Sequence, residues 1–156
     1  MMPAATYKER RADPRPLATW LDRLGRAPLS LHQLLFRLGV ASVFLKAGLV
    51  KTSSWESTVA MFRDEYRLPL FSPELAATFA STFELGCSTL LILGLGTRFA
   101  TLPLLGMIAT IQLFVYPDAW SEHLVWVSVL LFLLTRGPGT VSVDHLIAQA
   151  WSRRPG

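Results

Sequence analysis

Three ionisable side chains interrupt apolar runs long enough to cross a bilayer. Glu84 is the lone charge in Ala76–Leu95, and Arg37 and Lys46 lie inside Leu29–Val50. A hydrocarbon core about 30 Å thick takes roughly 20 helical residues to cross, and charges placed that deep are costly unless they pair or face the bundle interior. A carboxyl group beside a cation in such a place can handle a proton or hydrogen-bond a quinone carbonyl; the plainer reading is an ion pair that tethers two helices. The choice of partner is open. On a helix Arg37, Phe44 and Lys51 share one face while Lys46 lies half a turn away, so the two buried cations cannot both face Glu84. Depth favours Lys46 and side-chain reach allows Arg37, whereas Lys46 could instead extend its ammonium to the headgroups. The Glu84 face also carries Ala77, Ala80, Ser81, Cys87 and Ser88, a strip of small residues that admits a close neighbour.

A second group surrounds Pro117-Asp118. Trp120, His123 and Trp126 fall on one side of a helix, with Tyr116 just before them and Gln112 one turn below Tyr116. Read sharply, these five residues form a periplasmic pocket whose imidazole exchanges protons while the rings stack on a flat ligand; read plainly, they are an interfacial aromatic belt. Metal chemistry has little to work with. His32 and His145 are the one histidine pair that could lie at matching depth for a haem, and the single Cys87, read as a packing residue, rules out an intramolecular disulfide or a thiolate zinc cage. No metal site is expected.

The elements that must position these groups are helices. The chain has 156 residues, 51% of them hydrophobic, and a mean hydropathy of +0.38, with its charges gathered at the ends and in the connections. That segregation predicts an all-α membrane protein, a four-transmembrane-helix bundle. The spans are Leu29–Val50, Pro73 to Gly94 or Gly96, the segment from Arg98 to Tyr116, and Ala119–Thr135, stopped by Gly137-Pro138-Gly139. Between spans one and two, Trp55–Tyr66 places Trp55, Val59, Met61, Phe62 and Tyr66 largely on one helical face, which predicts a short amphipathic interfacial helix, either a lid or a surface anchor. The membrane domain covers residues 29–147, between a basic arm at 1–28 and a basic tail at 148–156. Lys8, Arg10, Arg11, Arg15, Arg23, Arg26, Arg98, Arg136, Arg153 and Arg154 fall on one side, against Lys51, Arg63 and Arg67 on the other. This imbalance predicts cytoplasmic termini in a bacterial inner membrane, and it assigns the basic pI of 9.7 to lipid headgroups and not to nucleic acid.

Arg37-Leu38-Gly39, Phe44, Gly48-Leu49-Val50-Lys51, Glu84-Leu85, Leu93-Gly94-Leu95-Gly96-Thr97-Arg98, Arg136-Gly137-Pro138-Gly139 and Ser142-Val143-Asp144 follow one another in an order that resembles the DoxX family of four-helix bacterial membrane proteins, from about Leu34 to Ile147. The family takes its name from the membrane subunit of an archaeal thiosulfate:quinone oxidoreductase. The resemblance implies an interior Arg37 and Glu84 and a link to the quinone pool. Trp55, Glu65-Tyr66 and Tyr116-Pro117-Asp118-Ala119-Trp120 are similar to a subgroup associated with metal-associated peptides, which adds metal stress as a context. The expected role is an accessory or quinone-interacting subunit docked to a partner oxidoreductase, with quinone as the one cofactor suggested. The competing roles are a proton-coupled transporter or export helper built as a homo-oligomer, and a structural scaffold. The orientation is testable directly: a cysteine placed at Thr6 should resist membrane-impermeant thiol reagents in intact cells and one at Ser121 should react, and the reverse pattern would invert the topology.

Overall fold

The computed structural model describes residues 27–153, so the basic arm up to residue 26 and residues 154–156 lie outside the described residues. Within that range the chain is helical and contains no strand. Its elements are α1 (Leu29–Ser53), α2 (Trp55–Met61), a π-helical turn (Phe62–Tyr66), α3 (Pro73–Leu93), α4 (Thr97–Phe114), α5 (Trp120–Arg136) and α6 (Val143–Ser152). Three of them, α1, α3 and α4, are long and apolar enough to cross a membrane. The helix expected as the fourth span is present as α5, but its 17 residues make a rod of about 26 Å, shorter than a hydrocarbon core of about 30 Å.

The four long helices alternate in direction and close a ring, α1 against α3, α3 against α4, α4 against α5 and α5 back against α1. Each contributes a stripe at helical spacing to one core: Val40, Ala41 and Phe44; Cys87 and Leu91; Ala100, Leu104 and Ile108; Leu130 and Leu133. Lipid tails are as apolar as these side chains, so in a bilayer the cluster holds the helices by close fit and not by removal from water.

One end of the ring, where α1 begins and α3 turns into α4, is fastened by backbone geometry. Gly94 takes a left-handed conformation (φ 68°) that lets Leu95 N–H reach back to the Leu90 carbonyl at 3.0 Å, closing α3 in a Schellman turn. Gly96, also left-handed (φ 56°), begins α4. The first amides of α4 are capped from 47 and 48 residues away, because Asp144 accepts from Gly96 N–H at 2.8 Å and from Thr97 N–H at 3.2 Å. A carboxylate here meets both the orphan donors and the positive end of the helix dipole. Asp144 N–H in turn donates to the Gly94 carbonyl at 3.0 Å. Asp144 is presented by α6, a helix the hydropathy pattern did not reveal, which starts at a Ser142 cap accepting from His145 N–H and runs past Ile147, where the membrane domain was expected to stop.

At the opposite end the expected amphipathic segment is found as α2 continued by the π-helical turn. Its buried residues are Thr58, Val59 and Phe62, and Val59 and Phe62 pack on Ala76 and Ala77 at the start of α3. Arg67 ends the turn in a left-handed conformation (φ 43°), its N–H bonded to the Phe62 carbonyl at 3.0 Å. A Cβ at Gly94 would lie 1.6 Å from Arg37 Nη1 and 2.6 Å from Ser142 Cβ, whereas nothing lies within 4 Å of one at Gly39. Gly94→Ala should therefore lower stability in detergent by at least about 1–3 kcal/mol from backbone strain alone, while Gly39→Ala should be neutral or stabilising by up to about 1 kcal/mol. Melting curves of the two variants check this, and equal melting temperatures would remove the close packing from the account.

Candidate functional site

Glu84 sits 11 residues from the start of α3 and 9 from its end, about 17 Å and 14 Å along the axis, and so lies near mid-bundle. The backbone of α1 approaches it closely at Gly48, where a Cβ would meet Leu85 at 2.9 Å and the Glu84 Cβ at 3.0 Å. One turn further along α1, Lys51 Nζ donates to Glu84 Oε1 at 2.8 Å, with only 15% and 4% of the two side chains exposed. The pairing expected from the sequence is corrected here: Glu84 faces neither Arg37 nor Lys46. Arg37 is on the same face of α1 as Lys51 but about 21 Å along the axis, and Lys46 points away and is exposed. The sequence pattern ends span one at Val50 and puts Lys51 in the connection after it; in the structure α1 continues to Ser53.

Beyond the level of Gly48, α1 rises only about 8 Å, while α3 rises about 17 Å beyond Glu84. The space above the shorter helix is filled by α2 and the π-helical turn, joined to it where Thr58 Oγ1 donates to the Lys51 carbonyl at 2.9 Å. Beneath that roof a cleft of about 500 Å³ opens between α3 and α4. Ala76, Phe79, Ala80, Phe83 and Glu84 make one wall; Pro103, Gly106, Met107, Thr110 and Ile111 make the other; Phe62, Tyr66 and Phe71 cover it. Phe79 and Phe83 stack at 6.1 Å and 15°, and Phe71 meets Phe79 edge-on at 5.8 Å. The polar side chains in this apolar space are Lys51, Glu84, Tyr66 and Thr110. Glu84 Oε2 and the neighbouring Ser81 Oγ are buried with no hydrogen-bond partner among the described residues.

The roof is held from α4's side by the Tyr116 hydroxyl, which donates to Glu65, and by edge-on packing of the Tyr66 and Tyr116 rings at 6.0 Å. The bond to Glu65 pushes the Tyr116 phenol well above its ordinary range, and burial raises that of Tyr66. Both hydroxyls therefore stay protonated at neutral pH and can act as donors.

The five residues expected at a periplasmic pocket fall into separate local arrangements. Gln112 donates Nε2–H to the Pro117 carbonyl at 2.6 Å, which leaves its Oε1 to accept from His123 Nδ1–H at 2.5 Å and fixes that tautomer. His123 is buried, and Trp126 packs on it and on Phe44 with ring centroids 5.6 Å and 5.9 Å apart. Trp120 is 58% exposed, Tyr116 turns to the roof, and none of the five residues lines the cleft. Local geometry separates them. Arg37 is 1% exposed and reaches the fastened end of the ring, where Nη2 donates to the Val141 carbonyl at 2.6 Å beside Gly94 and Asp144. Gln33, not singled out from the sequence, donates there to the carbonyls of Arg136 and Gly137 at 3.1 and 3.2 Å. Among the described residues no three His, Cys, Asp or Glu side chains are grouped to hold a metal ion.

Removing the Glu84 carboxylate leaves the Lys51 ammonium half-buried without its partner, a loss of about 3–5 kcal/mol. A double-mutant cycle in detergent should give a coupling of at least about 1 kcal/mol between Lys51 and Glu84 and nearly none between Lys46 and Glu84. Coupling to Lys46 in place of Lys51 would overturn the assignment.

Most of the motif segments noted in the sequence thus fall at two places. Arg37, Leu93–Arg98, Arg136–Gly139 and Ser142–Asp144 meet at the fastened end, while Gly48–Lys51 and Glu84-Leu85 make the ion pair. The sequence profile of the DoxX family matches residues 32–117. An uncharacterized protein of Haemophilus influenzae is 29% identical over 128 residues, covering 76% of this chain and 84% of that protein. No solved structure gives a significant match. The match takes in three of the four long helices, the ion pair and the turn that fastens α3 to α4, and the chain belongs to the DoxX family of membrane proteins.

Proposed function

We propose that this protein is a quinone-interacting accessory subunit of a redox or stress-response complex in the bacterial inner membrane, with α5 as a fourth crossing and both termini in the cytoplasm. The observation that carries the reading is the ring-lined cleft ending on a buried carboxylate that is half satisfied. Its volume of about 500 Å³ falls within the range of small-molecule sites. Phe79 and Phe83 offer faces for a flat ring, and the exposed edges of both side chains lie on the bundle surface, so a lipid-soluble molecule has a route in from the bilayer.

The polar end of the cleft suits the head of a quinol. Glu84 Oε1 already accepts from Lys51, and Oε2 has room for one more donor, which a quinol hydroxyl supplies. The carboxylate then stands ready to take the proton when the ring is oxidised, and the Lys51 ammonium to donate to the carbonyl that forms. Electrons would pass to a partner subunit carrying a redox centre. A transport path through a single chain is disfavoured because the close-packed cluster around Leu91, Leu104 and Leu130 fills the ring on the far side of the ion pair.

A photoreactive short-chain quinone tests the proposal on detergent-purified protein. Labels are expected on Phe79–Glu84 and Gly106–Ile111, competed by unlabelled quinol, with affinity reduced about tenfold in Glu84→Gln. Labelling around His123 and Trp126, or labelling that quinol does not compete, would overturn it.

A further inference from the structure

Lys46 is left over by the cleft and by the fastened end. It is exposed on the outer face of α1, seven residues before the helix ends and about 3 Å short of the Gly48 level, so it stands near the middle of the bundle's height. Among the described residues it makes no ion pair and no hydrogen bond. An ammonium facing lipid at that depth must find an anion or reach polar surroundings.

A second recess provides the route. It has a volume of about 470 Å³ and runs along α1 from Val43 and Lys46 up to Ser54, then beneath Ser57 and Thr58 of α2. Lys51 and Tyr66 also border the main cleft, so these two side chains stand between the two spaces. The Lys51 ammonium is already committed to Glu84, and the Thr58 hydroxyl to the Lys51 carbonyl. Lys46 is therefore the charge in the recess without a counter-ion, with the exposed Ser54 and Ser57 above it as further donors.

We propose that this recess binds a phosphate-bearing anion, its charge met by Lys46 and its remaining oxygens by the hydroxyls of Ser54 and Ser57. A compact tetrahedral anion matches a point-charge ammonium flanked by hydroxyl donors. Such a phosphate can come from the headgroup of an anionic phospholipid in the leaflet nearest α2, or from free phosphate in the adjoining water. Either source draws on the same side chains, and neither depends on quinone binding in the main cleft.

Native mass spectrometry of the full chain in detergent distinguishes the sources. With phosphatidylglycerol and phosphatidylcholine offered in equal amount, phosphatidylglycerol should be retained at one per chain, and Lys46→Gln should reduce that retention at least about tenfold while Lys46→Arg preserves most of it. If inorganic phosphate at millimolar concentration displaces the lipid in a manner that depends on Lys46, the soluble anion is the ligand. Equal retention of the two lipids with no binding of phosphate, or retention unchanged in Lys46→Gln, would overturn the site. Lys46 is exposed and makes no ion pair or hydrogen bond among the described residues, so the variants should melt with the wild type; if they do not, the lipid comparison on the wild-type chain decides alone.

Discussion

The architecture depends on keeping one carboxylate company in the middle of the bundle. Glu84 can be held there because α1 presents no side chain at Gly48, which brings its backbone against α3 and delivers Lys51 one turn later. Each charge makes the other tolerable, since the cost of desolvating either alone exceeds what a small bundle can absorb. The rest of the distal half follows from this meeting. With α1 ending soon after Lys51, the chain has to fold α2 and the π-helical turn over the gap, and the face of α3 that α1 leaves uncovered becomes the wall of a cleft.

The opposite half is organised by different physics. No ion pair within salt-bridge distance is needed to fix Arg37; its guanidinium occupies the space that the left-handed Gly94 vacates, and Val141 takes one of its donors. Asp144, arriving from a helix late in the chain, serves the first amides of α4. Sequence-distant segments are thereby tied at a single point by hydrogen bonds from side chains to backbone groups, with one backbone bond from Asp144 to Gly94, a stiff joint facing a distal half that encloses space. Rigidity and room are placed at opposite ends of the same four helices.

Much of this was legible from the sequence, and the failures have identifiable causes. Apolar runs bounded by Pro73, Gly94, Gly96 and Gly137 located the long helices within a few residues, because hydropathy and turn residues are local signals. The location of Glu84 inside the bundle followed from the small residues beside it. Its partner did not follow, since α1 runs to Ser53 and the relative height of α1 and α3 is a tertiary quantity; Lys51, counted among interfacial cations, sits well below the end of α3. Gln112 and His123 satisfy each other and the Pro117 carbonyl, a local network whose geometry composition does not reveal. Helix α6 escaped notice because it is short and none of its residues is buried.

Pro103 lies within α4 and forms part of the cleft wall. Lacking an N–H, it leaves the Phe99 carbonyl without its usual helical donor, so the ladder of α4 is already open at that level. The segment from Pro103 to Phe114 therefore begins one backbone bond short of a complete ladder, while Leu104 and Ile108 on its inner face stay packed in the core. Its far end is held by the bonds of Gln112 to Pro117 and of Tyr116 to Glu65. A cleft wall with one backbone bond missing at its base and side-chain tethers at its tip is the stretch of this helix whose backbone bends at least cost.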